Sequence, residues 1–272
     1  MGLFEGKKGL ILGVANDRSI AWAIAQQILD GGGQCGFSHL PDKPDDDRKK
    51  NRGRVAKLTD QYENARFLVP MDVSKDADIQ AVADQAAETF GKIDFVLHSI
   101  AFAKLDDLKT DTINTSRDGF ALAMDISAYS LIAVAKAVRP IMNSGGSILT
   151  MTYFGGEKAV PGYNVMGVCK AALDSIVKYL AFDLGLDGVR VNAVSAGPVV
   201  TLAGVGAGVK EMLKLYEAVA PMQRNVSVEE VGKSGAFLLA DMATGITGEI
   251  LHVDCGYNIR GSPGRAVDKL AD

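Results

Sequence analysis

The chain has 272 residues, of which 47% are hydrophobic, and a net charge of -4 from 33 acidic and 29 basic residues. This length and apolar content are sufficient for one α/β domain with a sizeable buried core. Because the charges are spread evenly and no basic block occurs, nucleic-acid binding is not an expected function. The sequence also lacks the pattern of a signal peptide or of a membrane-spanning segment.

The cysteines indicate the compartment. Cys35, Cys169 and Cys255 are widely spaced and odd in number, which fits neither a disulfide framework nor a zinc-ligand cluster. No two of the three histidines share a metal-ligand spacing. We therefore expect a protein of the reducing cytoplasm, with no metal site.

Seven short apolar segments alternate with longer segments of helical periodicity. This alternation predicts an α/β, Rossmann-like doubly wound fold: one domain spanning residues 1–272, with a parallel sheet of about seven strands and helices on both faces. Ligands of such folds bind in the loops at the carboxyl ends of the strands. The predicted strands are 9–13, 34–38, 65–73, 92–101, 146–152, 189–197 and 248–256.

Two segments interrupt this alternation. Residues 41–54 are charged and contain prolines, which predicts a solvated loop leading into a helix. Residues 196–213 combine small, apolar and glycine residues, which is typical of a mobile lid over an apolar substrate. An ordinary flexible loop and helix start is an equal alternative for the second segment.

The first predicted turn has features of a phosphate site. Gly13 follows the first strand, and Ser19 and Ile20 open a helix whose free N–H groups and dipole attract a pyrophosphate. The segment lacks the GxGxxG fingerprint, and an ordinary strand, turn and N-cap explains it nearly as well.

The ends of the next strands extend this candidate site. Asp72 and Val73 end the third strand, and an aspartate there can accept from an adenine amino group. Asp72 as the N-cap of a helix is an equally good reading. The second strand ends at Leu40, without the acidic residue that usually binds a ribose 2'-hydroxyl. The choice between NADH and NADPH as cofactor is therefore open. The fourth strand ends in Ser99, Ile100 and Ala101, where small residues leave room for a ribose.

Tyr163 and Lys170 are seven positions apart, and Tyr163 immediately precedes a predicted helix from Asn164 to Gly185 that contains Lys170. At about 100° per residue the two side chains return to one face, two turns apart, where they can act on one small molecule. Their chance occurrence on a solvated face is the alternative. An apolar stripe is predicted roughly opposite the pair, with small or polar residues between the two faces forming an oligomer interface. The stripe comprises Val165, Val168, Cys169, Ala172, Ile176 and Leu180, and the small or polar residues are Gly167, Ala171, Asp174 and Ser175.

Seven segments carry a family pattern, and in chain order they are GVANDRSIAWAIA, MDVS, HSIAFA, DISAYS, PGYNVMGVCKAAL, VRVNAVSAGPVVTLA and GITGEILHVD. With these segments the chain resembles the short-chain dehydrogenase/reductase superfamily. Within it, the chain from Lys8 to about Ile259 is similar to the bacterial enoyl-acyl-carrier-protein reductases. Most of the superfamily has a tyrosine four residues before the lysine, where this chain has Met166. The spacing of seven is that of the enoyl reductases. Cys255 departs from the family pattern, standing where the first glycine of Asp-Gly-Gly is usual.

The resemblance implies reduction of the 2,3 double bond of trans-2-enoyl thioesters by NADH, with NADPH possible, in the last step of the fatty acid elongation cycle. It also implies a thioester carried by acyl carrier protein and a homo-oligomer, expected to be a tetramer. The alternatives are an NADPH-dependent 3-oxoacyl or other carbonyl reductase, and a nucleotide-binding protein without turnover. The latter is disfavoured because Tyr163 and Lys170 are both present.

Residue roles follow from the same resemblance. Tyr163 would stabilise the developing oxyanion, Lys170 would hold the nicotinamide ribose and Tyr153 would line the pocket near the thioester, so these three are the candidate catalytic residues. Val199 and Thr201 would contact the carboxamide. The substrate pocket would contain Ala103, Tyr153, Tyr163 and Met166.

Overall fold

The computed structural model describes residues 2–200 and 209–262. Its seven strands form one parallel sheet in the order β3-β2-β1-β4-β5-β6-β7. The predicted α/β doubly wound fold is therefore confirmed, and each predicted strand is present. The strands are β1 (Lys8–Leu12), β2 (Gln34–His39), β3 (Ala65–Pro70), β4 (Ile93–His98), β5 (Met142–Thr152), β6 (Arg190–Ala196) and β7 (Ile250–Val253).

Helices connect successive strands and cover the sheet. A π-helical turn, Asp125–Tyr129, lies between the fifth and sixth helices. The helices are α1 (Ile20–Asp30), α2 (Lys50–Thr59), α3 (Asp76–Phe90), α4 (Leu105–Lys109), α5 (Arg117–Met124), α6 (Ser130–Val138), α7 (Asn164–Gly185), α8 (Val209–Val219) and α9 (Val228–Leu239).

The core lies on both sides of the sheet, as a doubly wound fold requires. On one side, α1 and α9 bury residues such as Ile24 and Leu238, and on the other α3, α6 and α7 bury residues such as Val82 and Leu173. The helices α1 and α9 approach closely at Gly232, where a Cβ would lie 2.7 Å from the Ala23 carbonyl oxygen. A larger residue there would push the two helices apart.

One helical stretch has the length and hydropathy of a membrane-crossing helix: Arg117–Ile141, 25 residues with a mean hydropathy of 1.5. From the sequence we expected no segment of this kind. Half of its apolar window is buried inside the protein, where Leu131, Val134 and Val138 contribute to the core. Its apolar character is thus explained by packing against the sheet.

The starts of α2 and α3 bear on two predictions from the sequence. The charged segment leads into a helix as predicted, with α2 beginning at Lys50. The alternative reading of Asp72 as a helix N-cap is wrong, because α3 begins at Asp76 and Lys75 holds the N-cap position. Asp72 instead accepts the Ser74 N–H at 3.1 Å, within the turn before the helix.

The strand order reverses between β1 and β4, which lie side by side in the middle of the sheet. The two strands remain paired to their ends, where the Ser99 N–H donates to the Leu12 carbonyl at 2.9 Å. Crevices at such reversals, outside the carboxyl ends of the strands, are where doubly wound folds bind ligands.

Candidate active site

The loop after β1 is shaped to admit a phosphate. Gly13 has φ +105°, and a Cβ there would lie 2.0 Å from the Ser99 carbonyl oxygen, so a side chain does not fit. The Ser19 hydroxyl accepts two backbone N–H groups of the loop, each at 3.0 Å, and fixes the loop before α1. Ile20 is the first residue of α1, at the positive end of the helix dipole. These residues therefore fit the pyrophosphate of a dinucleotide.

Further cofactor candidates lie at the same edge of the sheet, after β2, β3 and β4. Leu40 is 64% exposed, whereas Val73 is buried. Asp72 accepts the Ser74 hydroxyl at 2.7 Å, and this hydrogen bond lowers the pKa of the carboxyl group. Asp72 is therefore charged at neutral pH and able to accept from a ligand. The candidates that follow β4 are Ser99, Ile100 and Ala101.

Two tyrosines meet where β5 ends. Tyr153 directly follows β5, and Tyr163 directly precedes α7. Their ring centroids are 4.7 Å apart at an interplanar angle of 68°, which is an edge-to-face contact. Gly155 makes room for this contact, because a Cβ there would lie 2.5 Å from the Tyr163 ring.

Both phenols are hydrogen-bond donors at neutral pH. Burial raises the pKa of Tyr153 to about 12. Burial likewise raises the pKa of Tyr163 well above that of an ordinary phenol. A protonated hydroxyl can donate to an oxygen atom that gains negative charge, whereas a phenolate could not.

Lys170 approaches the same end of β5 from α7. Its Nζ donates to the Met151 carbonyl oxygen at 2.8 Å, and the residue is 5% exposed. Burial lowers the pKa of Lys170 to about 8, against the opposing attraction of Asp174. The seven-residue spacing therefore does bring Tyr163 and Lys170 to one end of one strand.

The predicted faces of α7 are partly wrong. Lys170, predicted roughly opposite the apolar stripe, is itself buried, as is Leu173 one turn further along the helix. Val168, assigned to that stripe, is 41% exposed, and Asp174, assigned to the interface strip, is 8% exposed. The alternative of a chance pair on a solvated face is also wrong. Apolar periodicity failed here because the face of the helix that carries Lys170 and Asp174 is itself buried.

Asn164 fixes the start of α7 next to Tyr163. It has φ +43°, a left-handed conformation that asparagine tolerates better than most residues. Its Nδ2 donates to the carbonyl oxygens of Leu108 and Thr110, at 2.9 and 2.5 Å. The backbone at Tyr163 is thereby tied to α4.

A buried histidine lies beside the site in a structural role, which is the simplest reading of a histidine without a metal-ligand spacing. His98 ends β4 and hydrogen-bonds Thr150 of β5 through Nδ1 at 3.0 Å and Ser130 of α6 through Nε2 at 2.8 Å. Burial, together with the charge of Lys170, lowers the pKa of His98 to about 3, so the ring is neutral. It joins two strands and a helix without adding a charge near Lys170.

The substrate-side candidates lie in a small apolar cluster. Met166 is 6% exposed, and its Sδ lies 3.8 Å from the Ser127 hydroxyl of the π-helical turn. Ala103 packs against the same cluster, as does Tyr163. Val199 follows β6, and Thr201 lies outside the described residues. Met166, Ala103 and Tyr163 are therefore neighbours, as a shared pocket requires.

A further tyrosine was missed. The Tyr216 hydroxyl of α8 lies 3.0 Å from that of Tyr153, and Tyr216 is 3% exposed. The two residues are 63 positions apart, so no local pattern could have paired them.

The parallel sheet, the glycine turn at its reversal and the tyrosine–lysine pair are those of the short-chain dehydrogenase/reductase class of nicotinamide-dependent oxidoreductases. A family model described as enoyl-(acyl carrier protein) reductase matches residues 13–258. The chain belongs to this enoyl-acyl-carrier-protein reductase family.

Individual relatives match over nearly their whole length. The chain is 50% identical to enoyl-[acyl-carrier-protein] reductase [NADH] 1 of Rhizobium meliloti, over 98% of this chain and 95% of that protein. It is 47% identical to enoyl-[acyl-carrier-protein] reductase [NADH] FabI of Nostoc sp., over 94% of this chain and 98% of that protein. The crystal structure of the Anaplasma phagocytophilum enoyl-(acyl-carrier-protein) reductase in complex with NAD superimposes with a TM-score of 0.89, at 44% identity, covering 96% of this chain and 97% of that one.

Proposed function

We propose that the site is that of an NADH-dependent enoyl-acyl-carrier-protein reductase, with Tyr163, Lys170 and Tyr153 as its catalytic residues. The reaction reduces the 2,3 double bond of a trans-2-enoyl thioester. One observation carries the assignment of residues: a protonated Tyr163, seven residues before a buried Lys170, packs on Tyr153 at the end of β5. Membership of the family supplies the reaction.

When bound, NADH supplies a hydride for the β carbon of the enoyl thioester. Negative charge then accumulates on the thioester oxygen. The Tyr163 hydroxyl donates to that oxygen, and this interaction strengthens as the charge develops, so it favours the transition state over the ground state. Tyr153 forms the neighbouring wall and holds the Tyr163 ring by the edge-to-face contact.

Lys170 serves the cofactor. Its Nζ has one bond to Met151 and two further donors, which suit the hydroxyl groups of the nicotinamide ribose. The turn at Gly13 would hold the pyrophosphate, with Asp72 toward the adenine. Val199 and Thr201 are proposed contacts of the carboxamide, and the substrate chain would pass between Ala103 and Met166.

We further propose a homo-oligomer, a tetramer by the family resemblance, in which a second copy covers the outer face of α7. Four apolar residues on that face are exposed, with exposed fractions of 41% for Val168, 71% for Tyr179, 82% for Phe182 and 97% for Leu186. Contiguous apolar faces of this kind are typical of interfaces. Light scattering should give about four times the 28.7 kDa of one chain, and Phe182→Glu should lower that mass.

Three further expectations stay predictions. Acyl carrier protein presents the substrate, and the buried free cysteines are compatible with a cytoplasmic site of action. One domain with a lid around 196–213 is expected, although residues 201–208 of that segment lie outside the described part of the chain.

The test is a comparison of substrates and cofactors. Purified protein with a trans-2-enoyl thioester and NADH should consume NADH and yield the saturated thioester. NADPH should support a slower reaction, because no basic residue follows β2 directly to bind a 2'-phosphate. Reduction of a 3-oxoacyl thioester with no reaction of the enoyl thioester would refute the proposal.

A further inference from the structure

Tyr216 connects the helix α8 to the end of β5. Its hydroxyl oxygen is 3.0 Å from that of Tyr153. Its ring stacks on Tyr257 with centroids 3.6 Å apart and an interplanar angle of 10°. Tyr257 in turn meets Phe154 edge-to-face at 5.8 Å. Five aromatic rings, including Tyr163, thus form one continuous cluster.

The cluster restrains Tyr153 on two sides. Tyr163 contacts one part of its ring, and Tyr216 holds its hydroxyl. Tyr216 itself has little freedom to move, since it is buried and stacked. Among residues 2–200 and 209–262, the Tyr216 hydroxyl has Tyr153 as its hydrogen-bond partner. The bond therefore fixes the position of Tyr153 relative to α8.

The hydroxyl groups of Tyr153 and Tyr216 can also form a chain of hydrogen bonds. Each has one proton to donate and can accept at least one. When Tyr153 donates to an oxygen in the site, Tyr216 can donate to Tyr153, and such a chain of donors strengthens each bond in it. Burial raises the pKa of Tyr153, whereas the hydrogen bond from Tyr216 acts in the opposite direction. Tyr216 thus favours negative charge at the Tyr153 oxygen.

We propose that Tyr216 is a positioning residue of the reductase site, acting through Tyr153: it holds the Tyr153 hydroxyl and thereby the ring against which Tyr163 packs. This inference rests on the proposed enoyl reductase function. It assigns to α8 a part in catalysis in addition to covering the core. Tyr216 itself need not touch substrate or cofactor.

Tyr216→Phe tests the inference, because it removes only the hydroxyl and keeps the ring that stacks on Tyr257. We expect kcat/KM for a trans-2-enoyl thioester to fall about 2- to 12-fold, the range for one neutral hydrogen bond. The dissociation constant of NADH should not change. The matched control Tyr257→Phe removes the hydroxyl of the stacking partner and should leave both values unchanged.

A double-mutant cycle separates positioning from general structural effects. If Tyr216 acts through Tyr153, then Tyr216→Phe has no further effect on kcat/KM in a Tyr153→Phe background. An equal loss in both backgrounds, or no loss in the wild-type background, would overturn the inference. These outcomes require an active wild type. A wild type that does not reduce enoyl thioesters would instead overturn the proposed function and this inference with it.

Discussion

The buried charge of Lys170 leads to a prediction about stability and pH. The pKa of this lysine falls from an ordinary 10.5 to about 8 in the folded protein, because burial disfavours the charged form. Below pH 8 the side chain is charged in both the folded and the unfolded chain, and folding bears the full cost of burying the charge. Between about pH 8 and pH 10.5 the folded protein loses the proton while the unfolded chain keeps it.

The free energy of unfolding therefore rises with pH in that window. At 1.36 kcal/mol per pH unit, the two pKa values correspond to about 3 kcal/mol. Lys170→Met removes the titrating group and so removes this rise. We expect the stability difference between Lys170→Met and wild type, without cofactor, to change by about 2 to 3 kcal/mol between pH 7 and pH 10. The change favours Lys170→Met at the lower pH.

Urea unfolding at several pH values measures this difference. Comparing the two proteins cancels the contributions of titrating groups that do not interact with Lys170, and making both proteins with Cys169→Ala removes the neighbouring thiol whose pKa depends on the Lys170 charge. The control Lys178→Met changes an exposed lysine of the same helix, and should follow the wild type at every pH. A Lys170→Met difference that is constant with pH would refute the reasoning that Lys170 is buried as a charged group.

Three further substitutions test the site by other measurements. Tyr163→Phe should lower kcat by about 10- to 1000-fold with unchanged NADH affinity, since one oxyanion donor is lost; a matching loss of NADH affinity would contradict its assigned role. Gly13→Ala should weaken NADH binding at least 10-fold and lower the melting temperature, because its Cβ would clash with the Ser99 carbonyl. The control Gly53→Ala adds a Cβ in open space within α2 and should lower neither the NADH affinity nor the melting temperature. Asn164→Ala should reduce the free energy of unfolding by about 1 to 3 kcal/mol in urea, because it leaves two carbonyl groups without their amide donor; unchanged stability would argue against that anchor.

The strands and the loops that follow them were predictable from the sequence because their signals are local. Short apolar runs bounded by glycine or polar residues located all seven strands, and Gly13 lies in the turn that follows the first of them. Tyr163 and Lys170 were singled out by their spacing in the sequence, although Tyr163 lies just before α7 and the left-handed Asn164 separates it from the helix that carries Lys170.

The faces of α7 and the hydrogen-bond partners of Tyr153 and His98 were not predictable in this way. Lys170 and Asp174 are buried despite their charge, and apolar periodicity did not predict that burial. The bonds from Tyr216 to Tyr153 and from His98 to Thr150 join segments far apart in the chain. Such pairs depend on tertiary packing, and no spacing rule within one element contains them.

Cys255 illustrates a departure with a visible structural consequence. It stands where the family usually has a glycine, and it adopts φ +57°, the left-handed conformation that glycine adopts without cost. Its side chain is buried in the core.

The most direct test of the central claim is to follow the hydride by isotope. The protein should be supplied with NADH carrying deuterium at both C4 positions of the nicotinamide, so that either hydrogen transferred is labelled, and with a trans-2-enoyl thioester, and the product examined by mass spectrometry and NMR. We predict a saturated thioester with one deuterium on its β carbon and a solvent proton on its α carbon. Deuterium at any other carbon, or no transfer of deuterium to the thioester, would contradict the account.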